Sequence, residues 1–191
     1  MAWPDTVAPV ALDRAYRLIN HGPTVIVSAG EGAGANAMAV AWCCALDFSP
    51  PKLTVVLDKA TRTRELVEAH GAFAVSVPTV AQAALVRGIG TDSAHHVPDK
   101  LQRHGLRWID APEPGPPRVA GCVAWLDCRV LPQPALQAAH DLFLAEVTAA
   151  WADTRVFVNG RWQFEAADDS LRTLHHVAGG QFYAIGSPLK T

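Results

Sequence analysis

HGPTVIVSAGEGAGANAMAVAWCCALDFSPPKLTVVLDKATRTRELVEAHGAFAVSV, residues 21–77, sets short apolar runs between turn signals. Thr24 to Ala29 is a compact β-branched run closed by Gly30, and it reads as a buried strand. Met38 to Leu46 reads as a second strand, ended by Ser49-Pro50-Pro51. Leu53 to Leu57 is a third, and Phe73 to Val77 a fourth, closed by Pro78. Between these two, Thr61 to His70 carries Leu66 and Val67 among polar residues. Gly71 stands where a helix C-cap belongs, so this segment is predicted helical.

On either side of this stretch, Asp13 to Asn20 is a short helix candidate and Val80 to Arg87 another. Gly88 to Trp108 is irregular, with a helical piece near Asp99 to His104. Pro112 to Pro117, PEPGPP, is a stiff surface connection. Val119–Val130, Asp141–Ala150 and Arg155–Phe164 are strand-rich segments, and Asn159-Gly160 gives the strongest hairpin signal. The chain closes through Leu171–His176, Gly179-Gly180 and FYAIG. At least six short strands with two or three helices predict a mainly β fold with peripheral helices. The expected form is a closed, Greek-key-like antiparallel barrel, with residues 1–191 as one domain. Strands and helices do not alternate regularly enough for a doubly wound parallel sheet.

Of the 191 residues 50% are hydrophobic and 18% charged, with a net charge of -2, which is a globular balance. No basic stripe predicts a nucleic-acid partner, and no run of about 18 uncharged apolar residues predicts a membrane span. Met1 to Asp13 lacks a signal-peptide pattern. Cys43, Cys44, Cys122 and Cys128 form no CxxC, and they are expected as reduced, mostly buried thiols in a cytoplasmic protein.

Two segments invite a ligand. Gly30, Gly32 and Gly34 misplace the third glycine of a dinucleotide fingerprint, and the next segment is strand-like, so a mobile hairpin tip is the simpler reading. Asp58 to Thr63, DKATRT, joins a predicted strand to a predicted helix. Lys59, Arg62 and Arg64 supply charge, Thr61 and Thr63 supply hydroxyls, and the helix start supplies free N–H groups. That set suits a phosphate, but on the residues alone a solvated helix start with a threonine cap is the slightly simpler reading.

The order HGPTVIVSAG, then GANAMAVAWCCALDFSPPKLTVVLDKATRTRELVEAHGAFAVSV, then DKLQRHGL, GCVAWLDCRVL, HDLFLAEVTAA and HHVAGGQFYAIG resembles the flavin reductase-like, FMN-binding split-barrel family, which includes flavoredoxins. The resemblance covers nearly the whole chain. It implies that Asn36, Met38, Ala39, Val40, Ala41 and Trp42 line the isoalloxazine edge, with Trp42 behind the ring. It implies that Lys59, Thr61, Arg62 and Thr63 hold the FMN phosphate; because DKATRT suits a terminal phosphate, FMN is expected in preference to FAD. It brings Lys100 and His176 to the flavin pocket, with help from a second subunit in a homodimer. The family often has hydroxyl residues where this chain has Ala39 and Ala41, so those side-chain bonds to the flavin are absent here.

The implied activity is NAD(P)H-dependent flavin reduction, with NADH or NADPH as a transient donor passing hydride to flavin N5. An oxygenase or another electron acceptor would be the downstream partner. Ring stacking and exclusion of water carry such a step, so no residue is assigned a catalytic role. One alternative is an electron carrier whose bound FMN is reduced by a protein partner; another is a barrel that takes haem or a similar ring. His95-His96 and His175-His176 are adjacent pairs whose side chains diverge on an extended chain, so neither forms a metal face.

Overall fold

The computed structural model describes residues 1–189. Twelve strands are formed among them: β1 (Val7–Pro9), β2 (Val25–Ala29), β3 (Asn36–Val40), β4 (Cys43–Phe48), β5 (Pro51–Val56), β6 (Ala72–Val77), β7 (Ala124–Leu131), β8 (Leu142–Asp153), β9 (Phe157–Val158), β10 (Arg161–Trp162), β11 (Leu174–Ala178) and β12 (Gln181–Ala184). The α-helices are α1 (Leu12–Ala15), α2 (Arg62–His70), α3 (Ala83–Thr91), α4 (Lys100–Arg103) and α5 (Pro134–His140). The main sheet runs in the order β3-β2-β6-β7-β8-β5-β4, with β1 added to β8. Two hairpins, β9-β10 and β11-β12, stand apart from it.

Every neighbouring pair along the main sheet is antiparallel. The predicted closed barrel is corrected by that count. Seven strands on an all-antiparallel path leave the two edges, β3 and β4, running the same way. Pairing them would make a parallel ladder, which needs a crossover of about a dozen residues, and only Ala41 and Trp42 lie between them. The chain instead steps from one edge to the other, and the carbonyl of Trp42 accepts from the Val56 amide at 3.0 Å. Two linking residues span so short a gap that the sheet must curl. The result is a curled open half-barrel, as a split barrel requires. The single strand predicted over Met38–Leu46 is therefore two strands on opposite lips of the split.

Burial explains why some runs are continuously apolar. In β2, Val25, Val27 and Ala29 point into the barrel with Phe73, Leu126 and Phe143. Ile26, on the other face, packs with Ala37, Val86, Ile89 and Trp125 beneath α3. A strand covered on both sides loses the polar alternation of a half-exposed one. β4 keeps it: Cys43 is buried, while Cys44, Leu46 and Phe48 face outward. Gly71 ends α2 in the left-handed conformation at φ 64°, as its C-cap position predicts. Asn159 and Gly160, at φ 52° and 73°, make the predicted hairpin turn.

Candidate functional site

At one lip of the split, β3 meets the start of α2. Asn36 and Thr63 are both buried, and the Asn36 amide donates to Thr63 Oγ1 at 3.0 Å. That bond leaves the Thr63 hydroxyl proton free for another acceptor. Thr61 is extended and does not cap the helix; its hydroxyl donates to the Asp58 carbonyl at 2.7 Å. The first-turn amides of α2 thus have no side-chain acceptor, and they carry the positive end of the helix.

Lys100, at the start of α4, comes in from the far side. It is only 3% exposed. Its ammonium donates to the carbonyls of Ile89 at 3.1 Å and Asp92 at 3.0 Å, which accounts for two of its three protons. Burial lowers its pKa to about 8, against the opposing pull of Asp92. The loop that carries it is pinned by His104, whose Nε2 lies 2.7 Å from Asp92 Oδ2. That ring seats on Gly88, where a Cβ would come within 2.3 Å of it.

Asn36, Met38, Thr61, Arg62, Thr63 and Lys100 together line a small cavity of about 90 Å³, with Ile89 to Ala94 as the other wall. Ala39, Val40, Ala41 and His176 line an adjoining cavity of about 280 Å³, with Thr24, Val86, Arg87, Gly180 and Phe182. Gly90 and Thr91 belong to both, so the two run together along β3. β3 pairs only with β2, so its outer edge presents unpaired peptide groups to this groove. A Cβ on Gly90 would stand 3.1 Å from that of Ala39, so the small residues at both positions let α3 close on the strand. His176 is exposed; its amide donates to Thr24 Oγ1 at 2.8 Å, and its ring tilts onto Phe182.

Other residues singled out in the sequence are placed differently. Arg62 lines the small cavity but is ion-paired to Glu65 at 2.6 Å. Lys59 is exposed on the loop, and Trp42 is 74% exposed at the split; neither lines the two cavities. Arg64 points away from the loop. It bonds Glu68, Asp141 and the carbonyls of Leu57 and Gln137, and so ties α2 to β5 and α5 instead of facing a ligand. Sequence reasoning missed Thr24, Arg87, Gly90, Thr91 and Phe182. The one local signal was Gly88-x-Gly90, a costly pair inside a helix unless a close approach needs it.

A family model described as the flavin reductase like domain matches residues 16–166. The uncharacterized protein YddH of Escherichia coli K12 is 41% identical over 181 residues, covering 93% of this chain and 94% of YddH. The crystal structure of an FMN-binding domain of a flavin reductases-like enzyme from Shewanella baltica superimposes with a TM-score of 0.94 at 52% identity, over 97% of each chain. A flavoredoxin of Desulfovibrio vulgaris shares the fold at a TM-score of 0.74 and 22% identity, over 89% of this chain and 90% of its own. The open half-barrel, the uncapped helix beside its lip and the match across most of the sequence agree: this chain belongs to the flavin reductase-like family.

Proposed function

We propose that the 191-residue chain works as one FMN-binding oxidoreductase domain that accepts reducing equivalents from NADH or NADPH. The observation that carries the reading is the convergence on one cavity of a buried ammonium with a spare proton, a buried hydroxyl with a spare proton and an uncapped helix start. A buried cation is costly, and an anion beside it offsets that cost. FMN ends in a phosphate and FAD does not, so FMN is the better fit to a terminal cradle. Lys100, Thr63 and the amides at Arg62 and Thr63 would hold the phosphate, with Thr61, Arg62 and Lys59 around its rim. Asn36, Met38, Ala39, Val40 and Ala41 would run along the ring, their peptide edge serving its polar rim, with Trp42 and His176 at its far end. When bound, FMN supplies a ring that takes up a hydride and passes electrons on. The chain's own residues bind, orient and exclude water; none needs to move a proton.

A second copy of the chain would complete the site. Trp42, Leu46 and Phe48 lie on the outward face of the β4 lip and are all largely exposed, an apolar row of the kind that marks an interaction surface. It begins next to Ala41 of the larger cavity, so a two-fold partner seated there would close one side of the ring. An oxygenase or another electron acceptor would then draw on the reduced flavin.

Anaerobic mixing of FMN-loaded protein with NADH, then with NADPH, tests the activity. Rapid bleaching by either donor supports the reductase reading. Bleaching by dithionite alone assigns an electron carrier reduced by a protein partner. A Soret band with no flavin bound assigns a haem barrel.

A further inference from the structure

The β11-β12 hairpin forms its own two-stranded sheet and delivers His176, Gly180 and Phe182 to the larger cavity. Beneath it runs a line of side chains. His21 Nε2 lies 3.1 Å from Thr173 Oγ1, Thr173 Oγ1 lies 3.2 Å from His175 Nε2, and His175 Nδ1 lies 3.0 Å from the Gly22 carbonyl. The proton positions follow by elimination. A carbonyl only accepts, so Nδ1 of His175 carries the hydrogen. In the neutral ring Nε2 is then bare and accepts from the Thr173 hydroxyl. The Thr173 oxygen accepts in turn, so His21 donates from Nε2. Its Nδ1 is left as a bare lone pair, buried and without a partner. The His21 ring packs against those of Trp162, Phe164 and His175, with centroids 5.3, 6.3 and 5.6 Å away.

We propose that the His21–Thr173–His175 line is a pH-operated latch: with both rings neutral it holds the hairpin against the barrel, and on acidification it releases it and opens that wall of the larger cavity.

The line admits no added proton without loss. A proton on His175 Nε2 turns that atom into a donor toward Thr173. The buried Thr173 hydroxyl then loses its acceptor: either its own hydrogen is stranded, or it turns to His21, whose hydrogen moves to Nδ1, where it has no acceptor. A proton on His21 strands the same N–H and places a charge on a largely buried ring. Buried N–H groups without acceptors are rarer and costlier than bare lone pairs. Burial, and secondarily His175, lowers the His21 pKa to about 4; burial also lowers that of His175, against the bond to Gly22. The neighbouring charges are engaged or turned outward. Arg17 bonds Tyr16 and the Gly160 carbonyl, and Arg172 pairs with Asp169. Arg161, Glu165 and His176 are exposed. Among the described residues no carboxylate makes an ion pair with either ring to favour the charged form.

The sign follows from lowered pKa values. Above the ordinary histidine value both released and latched states are neutral and the latch holds fully. Below it the released hairpin takes protons more readily, so latching weakens by up to about tenfold per pH unit per ring until the latched rings titrate.

Histidine 15N spectra across about pH 7.5 to 5, with amide exchange of 174–184 corrected for intrinsic chemistry, test this directly, with or without flavin present. The expected result is a hydrogen on Nδ1 of His175 and on Nε2 of His21, with His21 still neutral near pH 5 and His175 titrating below the ordinary histidine value. Hairpin protection should fall with acidification while β6 to β8 stay protected. His21→Phe, which cannot titrate, should reduce that response to the part due to His175. Rings that titrate near 6.5, the opposite tautomers, or hairpin exchange that ignores pH would each overturn the proposal. Should His21→Phe fail to fold, the wild-type tautomers and exchange decide alone.

Discussion

Lys100 makes FMN affinity depend on pH in a range where an ordinary lysine would not. Its ammonium is buried and its pKa lowered to about 8. Only the protonated form offers the third N–H and the charge to a phosphate. In flavin-free protein the apparent dissociation constant should therefore rise by a factor of one plus ten to the power (pH minus pKa). Between about pH 7 and pH 9 that is roughly a tenfold loss, close to 1.4 kcal/mol, whereas a lysine of ordinary pKa near 10.4 would lose only a few per cent. Fluorescence titration with FMN across this range reads it out, and riboflavin, which lacks the phosphate, serves as the control for any titration of the ring. Lys100→Met keeps the unbranched stem, one atom shorter, and removes the charge. It should weaken FMN at neutral pH by about 1.5–3 kcal/mol, the scale of a charged hydrogen bond, and flatten the pH profile. An FMN affinity in the wild type that stays level to pH 9, or one that riboflavin follows in parallel, refutes the placement of Lys100 at the phosphate.

Three further outcomes follow from the geometry. Glu65 draws on Arg62 at 2.6 Å, so Glu65→Gln should free that guanidinium and tighten FMN, while Arg62→Ala and Lys59→Ala should each weaken it by about 1–3 kcal/mol without touching riboflavin; isothermal titration separates the cases. Arg64→Met breaks a partly buried pair with Asp141 and should cost about 3 kcal/mol or more of stability in denaturant melts; an unchanged midpoint with weakened FMN would instead return Arg64 to the ligand. Phe48→Asp on the exposed lip should turn a dimer into a monomer in light scattering, against a chain mass of 20.4 kDa; a wild type already monomeric when FMN-loaded at micromolar concentration removes the second-copy reading.

The strands of the half-barrel were legible where their own residues carry the signal: TVIVSA and FAVSV are buried on both faces, and LTVVL is a compact β-branched run that buries every second residue. The split was not. Ala41 and Trp42 sit in one unbroken extended run, and whether that run pairs on one edge or two depends on strands about a hundred residues further on. α5 also escaped notice: it is seven residues long, starts on Pro134 and buries nothing, so no apolar period marks it. At the site, the types of residue in DKATRT suggested an anion, but not which of them face it. The helical turn decides that, sending Thr63 inward and Arg64 toward α5. Lys100 entered only through the family resemblance, since nothing near it in sequence says that two carbonyls of another segment receive its ammonium.

If the half-barrel anchors a flavin by its phosphate, removing or burying that phosphate must weaken binding. Parallel titrations of flavin-free protein with FMN, FAD and riboflavin decide this. FMN should bind tightest, with riboflavin weaker by at least about tenfold, the equivalent of one charged hydrogen bond to the phosphate. Riboflavin binding as tightly as FMN, or FAD binding as tightly or more so, would contradict the terminal cradle at Thr63 and Lys100, and failure of all three to bind would contradict the flavin itself.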